Sequence, residues 1–443
     1  MTDTGDQVRL EIGPVAHGGS CVARLDSRVV VVRHALPGEV VLATLTDADE
    51  TARFWRADAV EILQASPDRV PSRCAVAGAG GCGGCDWQHA SLGAQRRLKA
   101  DVVLEQLRRL GKRDDAELAA LWPDGLVVEP VPGDVDGLGW RSRVRFTMDG
   151  AGRAGMFRHR THEVVPVAEC PIAHPQLNAV GVGRTRWPHT FGVEVVVGHA
   201  PQDDQLPLVI VEADGATGTR DIPPLGVPVS LARRSKQGLQ RVRGRTWVGE
   251  QVTVDGVPRA FRVSGGGFWQ VHPGAAQTLL DAVLAAAEPR PGERAVDLYS
   301  GVGLFTAGLA LRVGAGGAVL AVEVDPRGAQ DARRSLHDLP QVQLETGRVE
   351  RVLAVATEAE PWAGTADVVV LDPPRAGAGR AVVESIAALS PRVVVYVACD
   401  PAALARDVQT FDGLGYRLSG LRAFDTFPMT HHVECVAVFV PTP

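Results

Sequence analysis

Residues 7 to about 65 alternate apolar and polar side chains over short runs, among them Val8-Arg9-Leu10-Glu11-Ile12, Ser20-Cys21-Val22-Ala23-Arg24, Val29-Val30-Val31-Val32 and Glu39-Val40-Val41-Leu42-Ala43. A period of two sends one side of each run to a core and the other to water. Turn signals at His17-Gly18-Gly19 and Leu36-Pro37-Gly38 separate the runs, which predicts a small antiparallel β-barrel of a kind often used to bind RNA. Over 95–113, QRRLKADVVLEQLRRLGKR has helical spacing with a basic, solvated face, and strand patterns return over 140–170 and 190–265. Beyond residue 275 the rhythm changes. AAQTLLDAVLAAA, LFTAGLALRV, PRGAQDARRSLHDL and AVVESIAAL read as helices, with RAVDLYS, AVLAVEVD, ADVVVLDPP and VVVYVACD as strands among them. Helices alternating with nearly continuous apolar strands predict a doubly wound parallel sheet, an α/β fold.

A chain of 443 residues holds about three domains on the usual size prior. Its 45% hydrophobic and 22% charged content is that of a globular protein. The opening MTDTGDQVRLEIG lacks the basic start and apolar run of a secretion signal, and no uninterrupted apolar stretch reaches membrane-spanning length. A cytoplasmic protein with no membrane association is the expectation. The net charge of −6 argues against a generally basic nucleic-acid binder but not against a local basic face. Trp140–Phe146 places Arg141, Arg143 and Arg145 at alternate positions, hence on one side of a strand, and Phe157–His162 and 232–245 are basic as well. These segments predict a surface for phosphates.

The seven cysteines are unevenly placed. Cys82 and Cys85, separated by two glycines, can turn their thiolates toward one metal centre with Cys74, and Cys170 is the best fourth ligand because Cys21 and Cys435 fall in predicted strands. Four thiolates suit an iron–sulfur cluster or a structural zinc, and His174 adds a Cys/His option for zinc; spacing leaves the two open. Other chemistry collects at strand ends. Gly301 and Gly303 follow the first strand of the parallel sheet, and Glu323 ends the next, about twenty residues on, placed to accept hydrogen bonds from ribose hydroxyls. Thr306 replaces the third glycine of the dinucleotide fingerprint, which favours an adenosine cofactor such as S-adenosylmethionine over a nicotinamide. Asp372-Pro373-Pro374-Arg375 ends another strand, and Cys399, a candidate nucleophile, ends a further one. Glu434 begins the last apolar strand, where desolvation raises a carboxyl toward the range of a useful base.

Taken in order, the barrel, Cys82–His89, Phe268-Trp269-Gln270-Val271, Asp297–Gly303, Asp372–Arg375, Cys399-Asp400-Pro401 and His432-Val433-Glu434 carry a family resemblance over nearly the whole chain. The chain resembles the S-adenosylmethionine-dependent RNA uracil-C5 methyltransferases, in particular the iron–sulfur 23S ribosomal RNA 5-methyluridine enzymes with an N-terminal TRAM domain. That resemblance implies an OB-like TRAM β-barrel over 1–68 that binds RNA. It implies a β-rich central domain over 69–95 and 126–265, and a Rossmann-like class I methyltransferase domain over 96–125 and 266–443. It further implies a [4Fe-4S] cluster on Cys74, Cys82, Cys85 and Cys170, and S-adenosylmethionine contacts from Gln270, Tyr299, Gly301, Gly303, Glu323 and Asp372. Cys399 is then the nucleophile that adds to uracil C6, Glu434 the base for the C5 proton, and Arg375 a group for RNA or for the thiolate. The expected partner is RNA, 23S ribosomal RNA first and transfer RNA as the alternative, bound by a monomer. Two positions depart from the family pattern: Leu304 replaces a polar asparagine, and Thr346-Gly347-Arg348 lacks the usual polar or acidic adenine contact. A noncatalytic RNA-binding protein with a structural metal is the rival from another class, and it has no need of Cys399 or Glu434.

Overall fold

The computed structural model describes residues 3–201, 205–213, 222–236, 238–356, 361–362 and 364–443. β1 (Gln7–Val15), β2 (Cys21–Leu25), β3 (Arg28–Arg33), β4 (Val40–Asp47) and β5 (Trp55–Gln64) close a barrel in the order β1-β2-β3-β5-β4. The alternating apolar positions fill it, with Leu10, Ile12, Val30, Val32, Val41, Ala43 and Leu45 buried. The pairing is not wholly antiparallel, since β3 runs parallel to β5. A ring with an odd number of strands cannot close on antiparallel pairs alone.

α1 (Leu92–Arg109), α2 (Asp115–Leu121) and β6 (Val128–Pro130) follow. The basic stretch is not simply a solvated face, because α1 buries two sides. Ala94, Leu98 and Val102 join the barrel core with Trp87, while Ala100, Val103 and Leu107 pack into the C-terminal core. Lys99 between them is wholly buried, pairs with Asp425 at 2.5 Å and donates to the Phe427 carbonyl at 3.1 Å. A buried pair of this kind is costly to break from one side, so α1 is pinned to the segment that leads to Glu434.

The central sheet comprises β7 (Arg143–Met148), β8 (Ala154–Phe157), β9 (Val164–Pro166), β10 (Thr190–Val196), β11 (Leu208–Ala213), β12 (Ser230–Ser235) and β13 (Gly238–Arg243), ordered β13-β12-β11-β10-β7-β8-β9, with the short α3 (Pro175–Val180) against it. β14 (Trp247–Val254) and β15 (Val257–Ser264) form a separate hairpin. Then come α4 (Ala275–Ala287), β16 (Arg294–Leu298), α5 (Leu304–Val313), β17 (Ala318–Glu323), α6 (Pro326–Ser335), β18 (Val342–Thr346), α7 (Val349–Ala356), β19 (Val368–Leu371), α8 (Arg380–Ala388), β20 (Val393–Ala398), α9 (Pro401–Asp412), β21 (Tyr416–Asp425) and β22 (Glu434–Pro441). The C-terminal sheet runs β18-β17-β16-β19-β20-β22-β21-β6. β16 to β20 are parallel, as their unbroken apolar runs predict; β22 is antiparallel to both neighbours.

From β16 the chain builds outward first through β17 and β18, then in the other direction through β19 and β20. The ends of β16 and β19 therefore border the switch point at which open α/β sheets bind ligands. Two segments cross the domain limits drawn from sequence. β6, in the stretch read as central, pairs with β21 in the C-terminal sheet. The β14–β15 hairpin buries Val248, Val252, Phe261 and Val263 in one cluster with Leu279, Leu280 and Val283 of α4 and with Val196, Leu208 and Ile210 of the central sheet, so its apolar side joins the two. No helix among the described residues is long and apolar enough to cross a membrane.

Candidate active site

Cys399 and Asp400 make the two-residue step from β20 to α9. Local sequence makes the step sharp: the Asp400 carboxylate caps α9 by accepting from Ala403 N at 2.8 Å, and Pro401 sits in the first turn, where its missing amide costs nothing. The α9 N-terminus favours a thiolate here. Burial pushes the thiol up to about 12, with Glu434, Asp372 and Asp400 adding to the rise and Arg375 opposing it.

Ala398 pairs with Cys435 across β20 and β22, so the next residues outward, Cys399 and Glu434, share one end of the sheet. Glu434 is 2% exposed, and burial followed by Asp372 holds its carboxyl well above the usual range. Asp372, directly after β19, is pushed up to about 7 by burial and then by Asp297; Asp297 on β16 is itself raised to about 7, mainly by burial. These carboxyls are short of positive charge. The Asp372–Arg375 loop is anchored behind them by Asp407, which accepts from Ala378 N at 2.8 Å and from the Tyr396 hydroxyl at 2.8 Å.

The glycine turn after β16 has φ values of 63° at Tyr299, 57° at Gly301 and 92° at Gly303. Left-handed backbone at a tyrosine stores strain at a binding turn. At Gly303 a side chain is excluded by space as well, since a Cβ would lie 2.6 Å from Leu336 Cδ1. Glu323 closes over the turn, accepting from Gly301 N at 2.8 Å and from Asp325 N at 2.6 Å; each carboxylate oxygen keeps a further lone pair. Asp297 Oδ1 and Ser300 Oγ are buried here without a partner. Gln270, also buried, comes from the loop between β15 and α4, which the central domain ties down. Ser142 N and Oγ each donate to the Val271 carbonyl at 2.9 Å, and Arg143 Nη1 donates to the Gly267 carbonyl at 2.5 Å.

A cavity of about 190 Å³ opens at Cys399. One wall is the barrel turn His17-Gly18-Gly19, another is Arg375, and a third is His431-His432. His17 Nε2 lies 3.1 Å from Asp400 Oδ2, beside Cys399. In the sequence His17 reads only as part of a turn, and no local pattern marks His431 or Asp86 as functional. The signal was a histidine beside two glycines, a small-residue turn that lets another domain approach closely.

Cys74, Cys82, Cys85 and Cys170 line a second cavity, walled by Val144, Met156, Val167 and Ile172. Burial pushes Cys85 up to about 12 and raises Cys82 and Cys170. Among the described residues no group of three or more His, Cys, Asp or Glu side chains has the arrangement of a metal-ion site. His174 is used otherwise than as a zinc ligand: it caps α3, its Nδ1 accepting from Gln176 N at 3.4 Å.

The arginine stripe is largely paired with the protein's own acceptors, although Arg145 stays exposed. Arg141 borders the cysteine cavity and donates to the Arg143 carbonyl at 3.2 Å. Arg143 pairs with Glu194 at 3.6 Å and Arg145 with Glu212 at 2.5 Å, while Arg234 joins both carboxylates at 2.6 Å. Glu194 stands opposite Arg145 in the β7–β10 register, and this cross-strand neutralisation is invisible in a linear pattern. Arg375 differs, since it faces the Cys399 cavity.

A doubly wound sheet with a strained glycine turn, an acid on the adjacent strand and a thiol at a strand end defines an adenosine-cofactor type of transferase fold. Residues 362–441 match the family model described as tRNA (Uracil-5-)-methyltransferase, and residues 2–60 match the TRAM domain. A protein of Streptomyces avermitilis, named as an uncharacterized RNA methyltransferase, is 49% identical and matched over 99% of both chains. Another of that name from Bifidobacterium longum is 38% identical over 98% of this chain and 96% of its own. The fold is similar to that of the tRNA (uracil-54, C5)-methyltransferase of Pyrococcus abyssi, solved with S-adenosyl-L-homocysteine, at a TM-score of 0.69 and 22% identity over 98% of this chain and 100% of that one. The chain belongs to this family of RNA methyltransferases, with a TRAM domain over the barrel.

Proposed function

We propose that the protein transfers a methyl group from S-adenosylmethionine to C5 of a uridine in 23S ribosomal RNA, by way of a bond between Cys399 and uracil C6. The observation that carries this reading is the convergence of Cys399 and Glu434, from paired strands, at the end of a sheet whose switch point holds the Tyr299–Gly303 turn. The site suits the cofactor. Asp297 Oδ1 and Ser300 Oγ are buried polar atoms awaiting partners, and the raised carboxyls of Asp297, Asp372 and Glu434 gain from a cation placed among them. S-adenosylmethionine supplies such a cation, a sulfonium carrying an electrophilic methyl group. We assign its binding to Tyr299, Gly301, Gly303 and Glu323, with Gln270 and Asp372 completing the site.

Cys399 ionises in the field of Arg375 and the α9 N-terminus and adds to C6, moving the C5–C6 π pair toward O4 and making C5 nucleophilic. Once C5 carries the methyl group, Glu434 removes the C5 proton, and the returning electron pair expels Cys399 Sγ. Burial gives Glu434 the basicity this step needs. The uracil must leave its stack to reach Cys399, which assigns the barrel turn at His17 and Arg375 to holding the displaced nucleotide.

We assign a [4Fe-4S] cluster to Cys74, Cys82, Cys85 and Cys170. The support for this assignment is that the four thiols line one shared cavity. The same reading makes the protein a cytoplasmic monomer. Transfer RNA is the second reading, favoured by the fold likeness to an enzyme named for uracil 54 of tRNA. Incubating the protein and labelled S-adenosylmethionine with separated ribosomal and transfer RNAs, then mapping 5-methyluridine, distinguishes them. Label in 23S RNA is expected; label confined to tRNA selects the second reading, and label on a base other than uracil overturns both.

A further inference from the structure

The loop that carries Cys82 and Cys85 is bonded directly to the segment that leads into Glu434. Asp86 N and Trp87 N both donate to the Met429 carbonyl at 3.0 Å, and Gln95 Oε1 accepts from Met429 N at 2.7 Å, holding Met429 at a left-handed φ of 66°. Asp86 then grips His431 twice with one oxygen: Oδ2 accepts from His431 N at 3.1 Å and lies 2.6 Å from its Nδ1. The barrel seats the same ring from the other side, where a Cβ on Gly19 would come within 2.5 Å of His431 Cβ, and Trp87 Nε1 holds the Gly19 carbonyl at 2.8 Å. The His431 ring lies against that of His432, with centroids 4.1 Å apart and planes tilted by 45°. His432 Nε2 lies 3.3 Å from Arg375 Nη2 and must be the acceptor, because a guanidinium only donates. Arg375, in turn, lines the same cavity as Cys399 and is the cation there that favours its thiolate.

We propose that Asp86 is a positioning residue for the nucleophile: by fixing His431 it sets His432 and, through it, the Arg375 guanidinium against Cys399. The cysteine loop is thereby part of the catalytic framework and not only a metal-binding appendage. The inference rests on the methyltransfer reading for its catalytic meaning, although the contact chain stands independently of it.

Asp86→Asn keeps the shape and removes the charge; His431→Gln breaks the same pair from the other side. Two measurements on the full chain test them singly and together. The first is the rate at which iodoacetamide alkylates Cys399 in ligand-free protein, followed by peptide mass spectrometry, which needs neither RNA nor cofactor. About tenfold slower alkylation is expected for each variant, with the double variant no slower than either single one, as for residues acting through one contact. The second is turnover on RNA, where kcat should fall about tenfold while KM for RNA and for S-adenosylmethionine stays within about twofold and the iron content is unchanged. Alkylation at the wild-type rate in Asp86→Asn overturns the proposal, and so do additive losses in the double variant. If Asp86→Asn fails to fold, His431→Gln carries the same test. If wild-type protein transfers no methyl group, the functional reading fails while the alkylation series still decides this one.

Discussion

Cys399 and Cys85 are both thiols on loops, and burial pushes both up to about 12, yet their surroundings differ in kind. Around Cys85 the neighbours are three further thiols and an apolar wall. Around Cys399 they are carboxyls, a guanidinium and three histidines, on a cavity with a wall borrowed from the barrel. Burial alone therefore does not separate a reactive cysteine from a ligand. The charge around each does: under the proposed function the Cys85 site takes a metal centre shared by several sulfurs, and the Cys399 site takes a cation beside a strand end.

Substitutions at the two sites should break this comparison in different ways. Cys399→Ala should abolish 5-methyluridine formation, a loss of about a thousandfold or more, with the fold and iron content intact. Cys85→Ser should instead remove iron and lower the melting temperature by several degrees, as expected when a structural metal centre is lost. Iron content, thermal melting and methyl transfer measured on both variants separate the two roles. Glu434→Gln comes next: turnover should fall about a hundredfold or more, with protein–RNA adduct accumulating because proton removal and not addition is blocked. Denaturing gels that show no adduct build-up in this variant would count against Glu434 as the base.

The charge deficit at the Cys399 end also sets a pH dependence. Asp297 and Asp372 hold their protons up to about 7, above the usual carboxylate range near about 4. The folded chain thus binds more protons than the unfolded one between these values, so stability is lost as pH rises through that window. Ligand-free protein should melt at a lower temperature at pH 8 than at pH 5. S-adenosylmethionine, a cation, should raise the melting temperature more than its neutral demethylated product does, and the gap should widen from pH 5 to pH 8. An equal effect of the two ligands at both pH values would remove the electrostatic part of the account. The smallest effect is expected at Arg145. Its guanidinium already answers Glu212, so Arg145→Ala should change stability by less than about 1 kcal/mol and RNA affinity only slightly.

Much of the catalytic end is legible in the sequence because its signals are local. Asp400-Pro401 announces a helix start, a glycine turn follows an apolar strand, and Glu434 precedes another, so Cys399, Asp372 and Glu434 can each be placed at a strand end without knowing what they face. What they face is not legible. The wall at His17, the grip of Asp86 on His431 and the burial of both sides of α1 all arise where domains meet, across separations that no periodicity records. The arginine stripe shows the same limit from the opposite direction. Alternation correctly put Arg143 and Arg145 on a strand, but Glu194 and Glu212 arrive from β10 and β11 and neutralise them. β6 and the β14–β15 hairpin likewise join the C-terminal domain through pairing and packing partners almost three hundred residues away for β6 and nearer in sequence for the hairpin.

The central claim is that Cys399 forms a bond to uracil C6. An RNA substrate bearing 5-fluorouridine at the mapped target tests it directly, because fluorine at C5 cannot leave as a proton does and the adduct is trapped. After incubation with S-adenosylmethionine and digestion, mass spectrometry should find the peptide containing Cys399 joined to a methylated fluorouridine in wild-type protein and in no Cys399→Ala sample. Methyl transfer to the natural RNA by Cys399→Ala, or trapping on a different residue, would contradict the account.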